Sequence, residues 1–79
     1  MKKVKTIDTI NGKIDVYEDD TYMLRRTFKS YSSLILNKRE LLYDLIDAGF
    51  VIKNLSLCLN TNKKYGIVFY LDVNMNYLQ

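Results

Sequence analysis

Apolar and polar residues alternate with a period of two along most of this chain, which predicts strands, and they switch to helical spacing only once. The first alternating stretches, Val4–Ile10 and Lys13–Glu18, are separated by Asn11-Gly12, the dipeptide most typical of a two-residue type I′ turn. A turn there sets Ile10 opposite Lys13, Thr9 opposite Ile14, Asp8 opposite Asp15 and Ile7 opposite Val16. Ile7, Ile14 and Val16 then share one face and the aspartates the other. A third strand is expected from Tyr22 to about Phe28. With Asp19, Asp20 and Thr21 as its entry loop, Val16 faces Leu24 and Asp15 faces Arg25, apolar against apolar and acid against base.

The single helical signal follows. Asn37 suits an N-cap, and Glu40 three positions later resembles a capping box. Leu41, Leu42, Leu45 and Ile46 form an apolar stripe, and Gly49 stands where a C′ glycine belongs. Ser30 to Leu36 reads equally as an extension of this helix or as a loop. Beyond it, Leu55, Leu57 and Leu59 alternate with Ser56, Cys58 and Asn60, Thr61–Lys64 turn, and Ile67, Phe69, Leu71 and Val73 alternate on the way back. The expected fold is α+β in the order βββαββ, one helix covering one face of a small antiparallel sheet.

A length of 79 residues allows one domain, and 48% hydrophobic residues suffice for its core. No apolar run approaches the roughly 18 residues needed to span a bilayer, and Met1-Lys2-Lys3 leads into polar residues rather than the apolar run of a secretory signal. The expected compartment is the cytoplasm, or the host cytoplasm for a mobile gene. Lys, Asn, Ile and Tyr, residues with AT-rich codons, are abundant, while Gly occurs three times and Pro never. Such composition fits a phage or plasmid gene of an AT-rich genome.

With one cysteine, Cys58, and no histidine, the chain has no intrachain disulfide, none of the usual zinc ligand sets, and no Ser-His-Asp or Cys-His nucleophile. No Gly-rich loop opens a helix, so no nucleotide or other cofactor cradle is indicated. Asp8 and Asp15, side by side in the expected hairpin, suggest a divalent-metal site or an acid/base pair, against the plainer reading that Arg25 neutralises them.

Two surface patterns bear on partners. The polar side of the helix gathers Glu40, Tyr43, Asp44 and Asp47, while Lys38 and Arg39 stand at its expected N-terminus, an arrangement opposed to the macrodipole. Such a local conflict suits a surface that docks a basic partner, although simple tolerance of a small penalty explains it too. Alternation also puts Met23, Arg25, Thr27, Lys29 and Tyr31 on one strand face. With a net charge of +3 and with Lys63 and Lys64 at the last turn, this basic and aromatic set suits stacked bases and phosphates. The acidic helix is a poor fit to a DNA groove, so nucleic acid would bind on strands or loops. Finally, Cys58, Val68 and Tyr70 make the last hairpin apolar on its second face. That implies a central pair of strands or a covered interface, with self-association as one cover. Cys58 is expected to be a small buried hydrophobe.

From Thr21 onward, Arg25-Arg26-Thr27-Phe28-Lys29-Ser30-Tyr31, Asn37-Lys38-Arg39-Glu40-Leu41-Leu42 and Leu45-Ile46-Asp47-Ala48-Gly49-Phe50 resemble the C-terminal part of class I SAM-dependent methyltransferases. There a strand leads to a helix ending in Ala-Gly-Phe, followed by a closing antiparallel hairpin. The resemblance covers about residues 21–73 and implies a piece of scaffold. The family's glycine-rich cofactor loop and acidic ribose contact are absent, and no catalytic residue carries over.

These patterns together favour a non-enzymatic protein-binding module. The expected role is that of a phage- or mobile-element-encoded inhibitor of a host system, of the anti-CRISPR sort, occupying a partner's surface with Glu40, Tyr43, Asp44 and Asp47. The alternative is a nucleic-acid-binding or regulatory protein using Arg25, Lys29, Tyr31, Lys63 and Lys64. A third class is an enzyme, or one subunit of one, with a metal held by Asp8 and Asp15.

Overall fold

The computed structural model describes residues 2–78. Five strands and one helix follow in the order β1 (Lys3–Thr9), β2 (Gly12–Tyr17), β3 (Thr21–Phe28), α1 (Tyr31–Asp47), β4 (Phe50–Asn62) and β5 (Gly66–Tyr77). The strands form one antiparallel sheet in the spatial order β1-β2-β3-β5-β4, so the last strand enters the middle and β4 becomes an edge. The α+β class and the βββαββ order are those expected. No helix among the described residues is long and apolar enough to cross a membrane.

Both N-terminal turns close earlier than expected, and one physical reason covers them. The first hairpin turns on Ile10-Asn11 rather than Asn11-Gly12, pairing Thr9 with Gly12 and Ile7 with Ile14. Neither turn residue takes a positive φ; Gly12 does instead, at +124°, just after the turn. The glycine thereby restores the strand twist that a type I-like turn leaves mismatched. Thr9 fastens the loop, its hydroxyl donating to the Gly12 carbonyl at 2.7 Å and accepting from the Asn11 N–H at 3.1 Å. In the second connection Asp20 takes φ +66°, which aspartate tolerates, and Ile14 comes opposite Leu24 rather than Val16. A row of aligned apolar side chains, Ile7, Ile14, Leu24, Val73 and Leu55, crosses all five strands, and Val16 comes opposite Tyr22, whereas the expected register sets Ile14 opposite Arg26. Cross-strand apolar pairs are the unit of sheet stability, so this register outweighs the turn's own preference.

The helix begins seven residues before the expected Asn37. Ser30 is the N-cap, in an extended conformation, its Oγ accepting from the Ser33 N–H at 3.1 Å. Asn37 lies inside the helix and its side-chain amide donates to the Ser33 carbonyl at 2.7 Å. The segment left open between helix and loop is therefore helical from Tyr31. Leu34, Leu41 and Leu45 form the buried stripe, whereas Ile46 is exposed. Lys38 and Arg39 consequently sit near mid-helix, away from the positive end of the dipole, and the expected N-terminal penalty falls away. Gly49 ends the helix as predicted, at φ +101°, with its N–H on the Ile46 carbonyl.

The core lies between α1 and one sheet face, built from Ile14, Leu24, Phe28, Leu34, Leu41, Leu45, Leu71, Val73 and Met75. The other face of the sheet carries no helix. Cover over the first face runs out along β4, where exposure climbs from 36% at Leu55 to 51% at Leu57 and 62% at Leu59.

Candidate functional site

The exposed side of α1 keeps Glu40, Tyr43, Asp44 and Asp47 at the surface, as helical spacing requires. They do not act as one patch. Arg39, one turn before Tyr43, donates from Nε and Nη2 to the tyrosine Oη at 3.2 Å each and lies 5.5 Å from its ring centroid. Tyr43 thus carries its own cation. Glu40, Asp44 and Asp47 have no cation within 4 Å among the described residues.

These carboxylates rim two open crevices between α1 and the β1–β2 turn. The larger, about 320 Å³, lies among Asp44, Asp47, Leu45, Ile14, Phe50 and the turn residues Ile10 and Asn11. A smaller one of about 170 Å³ lies beside it, bounded by Asn37, Glu40, Asp44 and Arg26. Arg26 is held there by Asn11, whose Oδ1 accepts from Nη1 at 3.3 Å. Ile10, 97% exposed at the tip of the turn, stands over the larger crevice as a free apolar side chain. Leu45 and Ile14 are there because the core needs them, so the crevice has an apolar floor and an acidic wall.

Sequence reasoning named the acidic wall and missed the opposite wall. Ile10 left a signal, since an isoleucine beside Asn11-Gly12 is a large apolar residue at a hairpin tip. The one-residue error in the turn hid it by assigning Ile10 to a strand.

The basic and aromatic set is divided by the fold. Arg25 Nε and Nη2 donate to Asp72 Oδ1 and Oδ2 at 2.7 and 2.8 Å, and the guanidinium lies 5.0 Å from the Tyr70 ring centroid. Its pairing is with Asp72 on β5, not Asp15, and its charge is neutralised on the open face. The Asp72 hydrogen bonds raise the Arg25 pKa further above its ordinary value. The same hydrogen bonds lower the Asp72 carboxyl below the usual carboxylate range, partly opposed by desolvation. Tyr31 does not share this face; it opens α1 and tilts against Phe69 at 5.8 Å on the helix-covered side. Lys29 and Lys64 come together over Tyr65, each with Nζ 5.4 Å from the ring centroid, next to Lys63 at the β4–β5 turn. Tyr65 was not singled out from the sequence.

Asp8 and Asp15 are not opposed. Asp8 pairs with Lys13, while Asp15 pairs with Thr6, accepts its hydroxyl at 2.8 Å and lies 3.8 Å from Lys3 Nζ. Among the described residues no three acidic or cysteine side chains gather as metal ligands. Cys58 is exposed on the edge strand rather than buried. The chain matches no protein-family model, no curated protein and no solved structure.

Proposed function

We infer that this chain is a non-enzymatic protein-binding module that acts by occupying a partner's surface, and that the α1–turn crevice is its docking site. The carrying observation is the combination of unpaired carboxylates, Asp44 and Asp47, with an apolar floor of Ile14, Leu45 and Phe50. Its chemical complement is a segment that inserts one apolar side chain beside Ile10 and places lysine or arginine against the acidic wall. Apolar anchors supply most of the affinity in such contacts, and the charges govern encounter rate and partner choice. An abundance of residues with AT-rich codons supports placing it among mobile-element inhibitors of host systems, of the anti-CRISPR sort.

The test is capture from host lysate on the immobilised chain, compared with a variant carrying Glu40→Ala, Tyr43→Ser, Asp44→Ser and Asp47→Ser. All four side chains are surface-exposed, so circular dichroism should be unchanged while the captured partner is lost. Undiminished capture by the variant would remove the crevice from consideration.

A second reading, contact with phosphates at the β4–β5 turn, is favoured by Lys29 and Lys64 sharing the Tyr65 ring. Binding of single-stranded oligonucleotide should then fall steeply with added salt and weaken on Lys29→Ala with Lys64→Ala. Absence of binding at low salt excludes it.

A further inference from the structure

The two edges of this sheet are built differently. On β1, Lys3, Lys5 and Asp8 place charges along the edge, and the pairing with β2 is irregular between Lys3 and Lys5. Charges and bulges are the devices that keep an edge strand from recruiting another chain. The β4 edge has 13 residues and one charge, Lys53, at the irregularity between Ile52 and Asn54. From Asn54 onward it is regular, uncharged to its end, and paired on one side only, to β5.

The same stretch is nearly palindromic. Asn54-Leu55-Ser56-Leu57-Cys58-Leu59-Asn60 reads alike in both directions but for the exchange of Ser56 and Cys58, residues of similar size. Antiparallel pairing about a two-fold axis at Leu57 sets Leu57 against its own copy, Leu55 against Leu59, and Asn54 against Asn60. Every leucine then meets a leucine on the same face, and no charge meets a like charge. A register centred one residue away strands one leucine of each copy against a polar residue. An arbitrary partner strand has no reason to match this symmetry; a second copy matches it by construction.

We propose that β4 pairs antiparallel with β4 of a second copy of this chain, about an axis at Leu57, giving a ten-stranded sheet with both helices on one face. The six leucines form a continuous strip between the helices on the face that α1 leaves bare, each burying a flank against its counterpart. The regular stretch Asn54–Asn60 gives seven residue pairs at about 3.3 Å, an edge roughly 23 Å long. With side chains reaching about 5 Å either side of the sheet, this covers on the order of 230 Å² per protomer, below the size of a stable interface, so main-chain pairing along the edge must supply much of the contact. The pairing is therefore a reversible dimer rather than an obligate one. It is also closed, because the edges that remain are the two charged β1 strands. The α1–turn crevice lies on the other flank of the helix and stays open.

Sedimentation equilibrium of the full chain up to about 0.5 mM should show the mass rising from 9.3 kDa toward twice that value and stopping there. Leu57→Lys brings two ammonium groups together on the axis and should leave a monomer. The side chain is already 51% exposed, so the fold should persist by circular dichroism. As a register test, Leu57→Cys with Cys58→Ser places two thiols directly opposite, about 4.5–5.5 Å apart between Cα atoms and within disulfide reach. Copper-phenanthroline should cross-link that variant rapidly and the wild type, with Cys58 opposite Ser56, slowly. A wild-type monomer at the highest concentration, growth past the dimer, a dimer undisturbed by Leu57→Lys, or no cross-link through residue 57 would each overturn the proposal.

Discussion

Replacing Asp72 by Asn isolates its bidentate ion pair with Arg25 across the middle of the sheet. The pair is bidentate, at 2.7 and 2.8 Å, and the Asp72 side chain is only 16% exposed against 62% for Arg25. Exposed ion pairs contribute about 0.2–1 kcal/mol, and bidentate geometry on a largely buried carboxylate moves this one to the top of that range. Solvent screening of the exposed guanidinium limits it to about 1 kcal/mol. Arg25→Met, which keeps an apolar stem over Tyr70, completes a double-mutant cycle with Asp72→Asn.

The pH dependence has a definite sign. Arg25 hydrogen bonds hold the folded-state Asp72 carboxyl below its unfolded value, so folding favours the ionised form. The contribution is complete above the ordinary aspartate value of about 3.9 and drains away as pH falls through the lower folded value. Urea denaturation should give a coupling energy of about 1 kcal/mol at about pH 7 and close to none at about pH 2. A coupling under about 0.3 kcal/mol at neutral pH, or one equally large in acid, would refute the assignment.

Three further substitutions test the elements that shape the crevice. Ser30→Ala removes the Oγ acceptor from the Ser33 N–H and should cost about 1 kcal/mol in urea denaturation, whereas a cap at Asn37 would leave it neutral. Gly49→Ala must hold φ +101° and brings a Cβ to 3.2 Å from Tyr77 Cε1, so a loss of about 1–2 kcal/mol and a lower thermal midpoint are expected. Leu24→Ala, in the middle of the five-strand apolar row with no exposure, should cost about 3 kcal/mol by the same denaturation assay, a large part of a small domain's stability.

The elements were legible because period-two and helical spacing are local properties, and βββαββ followed from them. Register was not. Asn11-Gly12 is a strong turn signal read alone, but the register of β2 depends on β3, where Ile14 and Val16 find the apolar partners Leu24 and Tyr22 rather than Arg26 and Leu24. The same non-locality misled the reading of Arg25, whose partner Asp72 lies 47 positions along the chain. Ser30 was missed as a cap because Leu34 stands one heptad before Leu41, with apolar Ile35 and Leu36 blurring the stripe between them. Of the acidic wall, Asp44 and Asp47 were legible from helical spacing alone. The Arg39–Tyr43 contact is an i, i+4 pair that follows from helical spacing, whereas Ile10 facing the carboxylates required the tertiary structure.

The uncovered leucines have a geometric origin, and their identity is what carries meaning. Five strands spaced at about 4.8 Å make a sheet about 20 Å across, twice the width of one helix, so α1 must leave strands bare at the margins. At the β1 margin the helix-side positions include Lys5, whose charge suits water, and Ile7, the one large apolar residue in register with the core row. At the β4 margin the equivalent positions are Leu55, Leu57 and Leu59, although the helix covers them no better. A 79-residue domain gains little by placing leucine where it stays half wet, since each then contributes only a fraction of the roughly 1.5–3 kcal/mol that full burial provides. The contrast between the margins is therefore not a demand of the monomer's core. It is accounted for if the wet leucines at β4 bury their flanks against their counterparts in the assembled state, while the lysines of β1 remain the outer edge.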